Sequence, residues 1–311
     1  MTYVLVLVVL ALAVPWGGVR LAGRLAGVLP PREACWALTG ATVLLAGGTV
    51  AALVGLFHVP FLASLEQVPL SRVLDVWPAV VPLAAAAGLV MCAQLVCVVR
   101  RWFRQRSLLK DAWQATGHGT GDGDLLVVAG TDVDAFALPG YRGRAGRVVV
   151  TAGTLRTLKP GERDVLMAHE RAHLAGRHHL LSAVVDLAAV VHPALRTVRT
   201  SLSFHLERWA DEAAAEAVGD RRTAAAAIAR AALARSSHDV TGYPLLSAAR
   251  GPVPRRVEAL LAPAPSAPTG RTRRTGAALA TALALTVLGT VALAYGLHEY
   301  VEYAATAVRG G

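Results

Sequence analysis

The sequence contains little cysteine, little methionine and almost no lysine. Its three cysteines, Cys35, Cys92 and Cys97, have no CxxC spacing and no histidine partner nearby, so neither a disulfide framework nor a cysteine-based metal site is expected. Of the 31 basic residues, all but two are arginines. These arginines are dispersed and not interleaved with aromatic residues, so direct binding of nucleic acid is not expected.

Apolar residues, in contrast, are abundant. They make up 54% of the 311 residues, and the mean hydropathy is +0.48. The excess is concentrated in four runs, each close to the roughly 20 residues that cross a bilayer. The runs predict transmembrane helices at about 3–19, 34–57, 76–99 and 277–297. The first run lacks the basic start and the small-residue cleavage site of a signal peptide, so we interpret it as a retained helix.

Basic residues between these runs predict the orientation of the chain. Arginines cluster after the first and third runs and before the fourth, whereas the loop at about 58–75 contains only Arg72. The positive-inside rule then places both termini outside the cell membrane and residues 100–275 in the cytoplasm. This cytoplasmic segment holds 26 Lys and Arg against 16 Asp and Glu, which accounts for the whole net charge of +10. Such a basic domain is attracted to the anionic surface of the lipid bilayer.

The predicted domain organisation has five parts. Three transmembrane helices in residues 1–99 precede a cytoplasmic domain at 100–261, a linker at 262–276, the fourth transmembrane helix and a short extracytoplasmic tail at 298–311. Within the cytoplasmic domain, short β-branched or apolar runs at Leu125–Ala129, Ala135–Leu138 and Arg147–Thr151 predict a small antiparallel sheet. We therefore expect a mainly α membrane protein, with four transmembrane helices and one α+β domain.

The most informative motif is His169-Glu-Arg-Ala-His173. Two histidines at i and i+4 lie on the same face of a helix and can bind one zinc ion. Glu170, beside the first ligand, can then act as general base on a zinc-bound water, the chemistry of peptide-bond hydrolysis. A purely structural metal site needs no such base, so Glu170 favours an enzyme over a non-catalytic membrane signalling protein.

Two candidates for the third zinc ligand follow the motif. The spacing His173-x-x-Gly176-x-x-His179 fits the metzincin pattern, but that class needs a downstream methionine turn and no methionine follows the motif. Glu207 and Asp211 stand at i and i+4 on a later predicted helix, so they face the same way. Glu207 can complete a His₂Glu site, and Asp211 can hydrogen-bond the outer nitrogen of a ligating histidine. We favour Glu207 over His179.

A segment before the motif is a candidate substrate-binding edge strand: Ala135, Phe136, Ala137, Leu138, Pro139 and Gly140. An exposed edge strand can pair with an extended peptide, although a purely structural sheet fits the sequence equally well. No oxyanion stabiliser can be assigned, since His205, Tyr141 and several arginines are all candidates. We interpret His118, in a glycine-rich loop, as solvated, and His192, in an apolar helix, as a packing residue.

Together these segments resemble the integral-membrane gluzincin peptidases. The resemblance rests on residues 135–140 and 148–155, on His169-Glu-Arg-Ala-His173, on Glu207-Arg-Trp-Ala-Asp211 and on Pro254-Arg-Arg-Val-Glu-Ala-Leu260, in that order. Two groups share these motifs: the HtpX and CAAX-prenyl-endopeptidase group, and the BlaR/MecR-type sensor peptidases. The BlaR/MecR type carries its zinc domain between the third and fourth spans, as the charge pattern predicts here, whereas HtpX-like proteins usually carry it between the second and third.

The chain therefore resembles a BlaR/MecR-type peptidase that lacks the penicillin-binding sensor domain after the fourth span. The resemblance implies a gluzincin-type fold and zinc-dependent cleavage of a cytoplasmic protein, in that family often a BlaI-type winged-helix repressor. It leaves sensing of β-lactams in doubt. The alternative is a quality-control protease of the HtpX kind, which the membrane topology would distinguish.

Overall fold

The computed structural model describes residues 2–65, 69, 71, 74–75, 78–121, 123–131, 133–236, 253–264 and 270–309. The chain is mostly helical. Three long helices come first and are named α1 (Thr2–Ala26), α2 (Pro31–Leu65) and α3 (Val80–Ala115). The elements that follow are β1 (Leu125–Val128), β2 (Ala135–Leu138), β3 (Arg147–Thr151), α4 (Ala152–Thr157), α5 (Pro160–Ala175), α6 (His178–Val191), a 3-10 turn (Pro193–Thr197), α7 (Val198–Val218), α8 (Arg221–Ser236), α9 (Val253–Leu261) and α10 (Gly270–Arg309).

Two helices of the described chain are long and apolar enough to cross a membrane, at Pro31–His58 and at Val80–Ala115. They cover the second predicted span and residues 80–99 of the third. Helices also cover the first and fourth predicted spans, as α1 and α10, and the membrane-spanning role of those two stays a prediction. The pair α5 and α6 passes the same test only when both are joined across a 54° bend. We treat this pair as part of the folded domain, because α5 carries charged residues along its length.

Several predicted boundaries move in the structure. The helix α2 continues to Leu65, into the predicted loop at 58–75, and parts of that loop lie outside the described residues. The predicted linker at 262–276 is shortened, because α10 already begins at Gly270, and residues 265–269 lie outside the described part. The same helix runs on to Arg309 through the predicted tail, whose last two residues are also outside the described part.

The described strands form one mixed sheet, with the order β1-β3-β2. The expectation of an antiparallel sheet was wrong for half of it, since β2 pairs antiparallel with β3 whereas β1 pairs parallel with it. Alternating apolar residues predict a strand but carry no information on its direction. The loop between β1 and β2 takes the chain across, so that β1 and β2 flank β3 and β2 is an edge strand.

The helix α5 packs between this sheet and three other helices. Leu166 and Met167 contact Val148 and Val150 of the sheet. On another face, Val165 packs in a cluster with alanines of α7 and α8 and with Leu260 of α9. The start of α5 is fixed by Pro160 in the first turn and by the carboxylate of Glu162, which accepts a hydrogen bond from the backbone of Lys159 at 3.0 Å. This packing turns one face of α5 towards α7.

The folded domain is also packed directly against the apolar helices. Ala34, Leu38 and Ala41 of α2 share one buried cluster with Leu181 of α6 and Leu202 of α7. Burial of this kind stabilises a protein by about 1.5–3 kcal/mol for each large aliphatic side chain. The helices that carry the candidate site are therefore held against a candidate membrane span by packing, and not through a flexible linker alone.

Candidate metal centre

The two histidines of the motif stand one turn apart near the end of α5. Both rings leave the same face of the helix, and their Nε2 atoms lie 3.2 Å apart. His169 is buried and His173 half-buried. Their ring centroids are 4.9 Å apart in an edge-to-face arrangement. Two nitrogens that point at a common position in this way need a proton or a cation between them.

Glu207 reaches the same position from α7. Its Oε2 lies 3.5 Å from Nε2 of His169, and its Oε1 lies 3.5 Å from Nε2 of His173. Ligand atoms held about 2.0–2.1 Å from a tetrahedral zinc ion are about 3.3–3.4 Å apart. The observed separations of 3.2–3.5 Å match that geometry, and the donor set of two imidazoles and a carboxylate suits zinc. The group His169, His173 and Glu207 could therefore hold a metal ion.

Asp211 stands one turn after Glu207 on α7 and contacts the other nitrogen of His169. Its Oδ1 lies 3.1 Å from Nδ1, close enough for a charge-assisted contact, although the alignment falls short of a regular hydrogen bond. A carboxylate at Nδ1 favours the tautomer whose Nε2 keeps its lone pair for a metal. His179, the competing candidate, is exposed on α6 and lies outside the metal group.

Arg256 of α9 binds both carboxylates, a role that the sequence did not reveal. Its Nε and Nη2 donate to the two oxygens of Asp211 at 2.7 and 2.6 Å, and its Nη1 lies 2.8 Å from Oε2 of Glu207. The arginine is only 3% exposed. It thus offsets two buried negative charges that would otherwise repel each other. The arginines of the sequence are many and dispersed. The stretch that contains Arg256 was distinguished from the others only by the resemblance to gluzincins.

His178 is a second residue that sequence reasoning missed. The chain bends by 54° around Arg177, whose φ is +50°, and His178 begins α6 instead of extending α5. Its Nδ1 lies 2.8 Å from Nδ1 of His173, and its ring packs on Trp209 with centroids 4.5 Å apart. One proton lies between these two Nδ1 atoms. When it is bound to His173, the Nε2 of His173 is unprotonated and faces the metal position, as does the Nε2 of His169. The buried Nε2 of His178 has no hydrogen-bond partner among the described residues.

The charges of the site suit a cation. Burial alone would lower the pKa of His169, but its contacts with Asp211 and Glu207 outweigh burial and raise the pKa to about 10. Burial lowers the pKa of His173 to about 4. Burial would raise the pKa of Glu207, but the contact with His169 and nearby positive charges lower it to about 2. The metal-free group thus holds an ionised carboxylate balanced by a proton on His169, and a divalent cation fits the place of that proton.

The other candidate residues take different positions. Glu170 is buried, and its negative charge acts on Arg256 together with those of Glu207 and Asp211, so it belongs to the same cluster. His192 caps the 3-10 turn by accepting from the backbone of Ala194. The remaining candidates lie outside the metal group. Tyr141 is half-buried and its backbone forms an isolated β-bridge with Arg144. His118 is exposed, and His205 is buried on α7.

The proposed substrate strand coincides with β2 at the edge of the sheet. Its end is held by the indole of Trp113, which donates to the carbonyl of Pro139 at 2.9 Å. The next residue is Gly140. A Cβ atom at this position would lie only 2.7 Å from the carbonyl oxygen of Arg144, so the close turn requires glycine. The turn thus ends the strand in a fixed position.

Comparisons with known proteins agree with this site. No curated protein and no solved structure matches the chain. A protein-family model matches residues 104–198. This segment runs from the later part of α3 through α6, contains His169, Glu170 and His173, and ends before Glu207. That segment matches Peptidase family M48, whose members are metal-dependent, and the match supports a membrane-type zinc metallopeptidase.

Proposed function

We propose that the chain is a membrane-embedded zinc endopeptidase that cleaves a cytoplasmic protein. The observation that carries this proposal is the convergence of His169, His173 and Glu207 at tetrahedral ligand spacing, with Glu170 next to the first of them. The match of residues 104–198 to family M48 also supports a zinc peptidase, because that segment contains His169, Glu170 and His173.

In the proposed reaction the ion, when bound, supplies the positive charge that makes a water more acidic and polarises the scissile carbonyl. Glu170 takes the proton from the attacking water and returns it to the leaving amine. Asp211 and His178 orient the two imidazoles, while Arg256 keeps Glu207 and Asp211 ionised and in place. The edge strand β2 aligns the substrate as an added strand, with backbone groups supplying the pairing.

The substrate that fits best is a soluble cytoplasmic protein, specifically a BlaI-type repressor whose cleavage transmits a signal. Support comes from the resemblance to BlaR/MecR-type peptidases and from the positive-inside rule, which predicts a cytoplasmic position for the basic segment 100–275. A protease needs a protein substrate, and the apolar helices need a lipid bilayer. The proposal includes no contact with nucleic acid.

The test is to replace Glu170 by alanine and compare proteolysis of cytoplasmic proteins in cells, with a co-expressed BlaI-type repressor among them. Glu216→Ala is the matched control, since Glu216 is exposed on α7. We expect the cleavage products to disappear in Glu170→Ala and to persist in Glu216→Ala. Persistence of every product in Glu170→Ala would remove the main support for an enzyme.

A further inference from the structure

A cavity of about 890 Å³ lies between the end of α1 and the helices α6, α7 and α9. No residue of the metal group lines it. Its wall includes Gly23 and Gly27, at the end of α1, just before the candidate span that begins at Pro31. The cavity is therefore next to the end of an apolar span and within the size range of small-ligand sites.

Of the described residues, three arginines and two carboxylates line this cavity. The positive charges are less fully neutralised by neighbouring opposite charges than the negative ones are. Arg199 is paired with Asp186 at 2.5 Å. Arg208 lies 3.5 Å from Glu212, but both oxygens of that carboxylate already bind Arg221. The second lining carboxylate, Glu258, is exposed on α9.

The guanidinium of Arg255 lies over the ring of Phe204, at 4.8 Å from its centroid. Within the part of the chain that the structure describes, Arg255 and Arg208 thus both offer donors to the cavity without a tightly bound carboxylate of their own. A guanidinium matches the geometry of a phosphate group better than any other side chain does.

Neutral donors complete the lining. Ser182, Ser201 and Ser203 contribute hydroxyl groups. His205 also lines the cavity, is only 9% exposed, and has an Nδ1 with no hydrogen-bond partner within the described part of the chain. A buried polar atom that lacks a partner costs free energy unless a ligand or water binds it.

We propose that this cavity binds the phosphate group of an anionic phospholipid headgroup. Arginines, hydroxyls and a buried imidazole converge where the domain meets the end of α1, a predicted membrane span. Basic pockets between membrane helices on the cytoplasmic side bind lipid headgroups. A soluble phosphate has the same chemistry, but the position beside Gly27 and the start of α2 favours the lipid. The site goes beyond the proposed peptidase activity and needs neither metal nor catalysis. His205 and Arg208 flank Glu207 on α7, so an occupied cavity would steady the helix that carries a metal ligand.

The experiment uses the full chain in detergent, with phosphatidylglycerol, phosphatidylcholine or inorganic phosphate added in separate arms. Bound lipid is counted by native mass spectrometry, and thermal unfolding is recorded in the same samples. The test variant is Arg208→Gln/Arg255→Gln. The matched control, Arg104→Gln/Arg222→Gln, removes the same charge from exposed positions on α3 and α8 outside the cavity.

We expect phosphatidylglycerol to bind to the wild type and the control. The double cavity variant should bind it about 30-fold more weakly, since each arginine contributes about 1 kcal/mol to such binding. Equal weakening in the control, or no preference over phosphatidylcholine, would overturn the proposal. Inorganic phosphate that stabilises as strongly as the lipid would overturn the lipid assignment. If the double variant does not fold, Arg255→Gln alone carries the test, because that side chain is exposed.

Discussion

Each histidine of the metal group has its second ring nitrogen turned towards a different polar partner. Nδ1 of His169 faces a carboxylate, Asp211, whereas Nδ1 of His173 faces a neutral imidazole, His178. Such outer partners fix the tautomer and the orientation of a ligand, and their loss typically weakens metal binding about 10–100-fold. The two imidazoles are therefore held before any metal binds.

Replacement of His178 by phenylalanine should weaken zinc binding by about 10–100-fold, because the ring would still pack on Trp209 but would no longer bind Nδ1 of His173. Competition with a chromophoric chelator measures the affinity, and the visible spectrum of the cobalt-substituted protein reports the ligand geometry. His178→Asn, whose amide can still accept a hydrogen bond, should restore part of the affinity.

His179→Phe is the matched control for this prediction, since His179 is the exposed neighbour on the same helix. Zinc affinity and cobalt spectrum should stay at the wild-type values in this control. Equal affinities for His178→Phe and the wild type would show that His178 only fills space.

The helix α9 connects the metal group to the end of the domain. Although only nine residues long, it contributes Arg256 to both carboxylates of α7 and Leu260 to the core beside α5. Removal of one partner from a buried ion pair typically costs about 3–5 kcal/mol, because the other charge is left buried without compensation. In this case two carboxylates would be left.

Arg256→Met should therefore lower the free energy of unfolding of the metal-free protein by about 3–5 kcal/mol. Arg255→Met, at the exposed neighbouring position, should stay within about 0.5 kcal/mol of the wild type. Denaturant titrations in detergent measure both values. A loss of the same size in the two variants would mean that the packing of α9, and not the buried charge, supports the site.

The elements that depend on local periodicity could be predicted from the sequence. The spacing of His169 and His173 and the spacing of Glu207 and Asp211 each predict residues on one face of a helix, and the structure brings these faces together. The role of His178 could not be predicted in this way, because its position depends on the 54° bend of the chain at Arg177. The same limit applied to Arg256 and to the parallel pairing of β1, since both depend on contacts between distant segments.

At the scale of the whole molecule, the candidate peptidase domain and the apolar helices are packed as one structure. The cluster that joins α2 to α6 and α7 contains residues from both parts, so a displacement of α2 would be felt by the helix that carries Glu207. The packing predicts that the domain lies against the membrane and not away from it, and the distribution of basic residues predicts that this face is the cytoplasmic one.

Reporter fusions test this orientation. A fusion in the loop at 58–75 should be active with an extracytoplasmic reporter, and fusions within 100–275 should be active with a cytoplasmic one, because the basic residues cluster in the second segment. A cytoplasmic loop at 58–75 would contradict the BlaR/MecR-type topology and would favour the HtpX-like alternative.

The metal content of the purified full-length protein tests the central claim most directly. Elemental analysis of the wild type should give about one zinc ion per chain, as expected for a His₂Glu site. His118→Ala, which removes an exposed histidine in the glycine-rich loop, should keep that ion, and His173→Ala should lose it. A wild-type protein without zinc, or a His173→Ala variant that retains as much zinc as the wild type, would contradict the account.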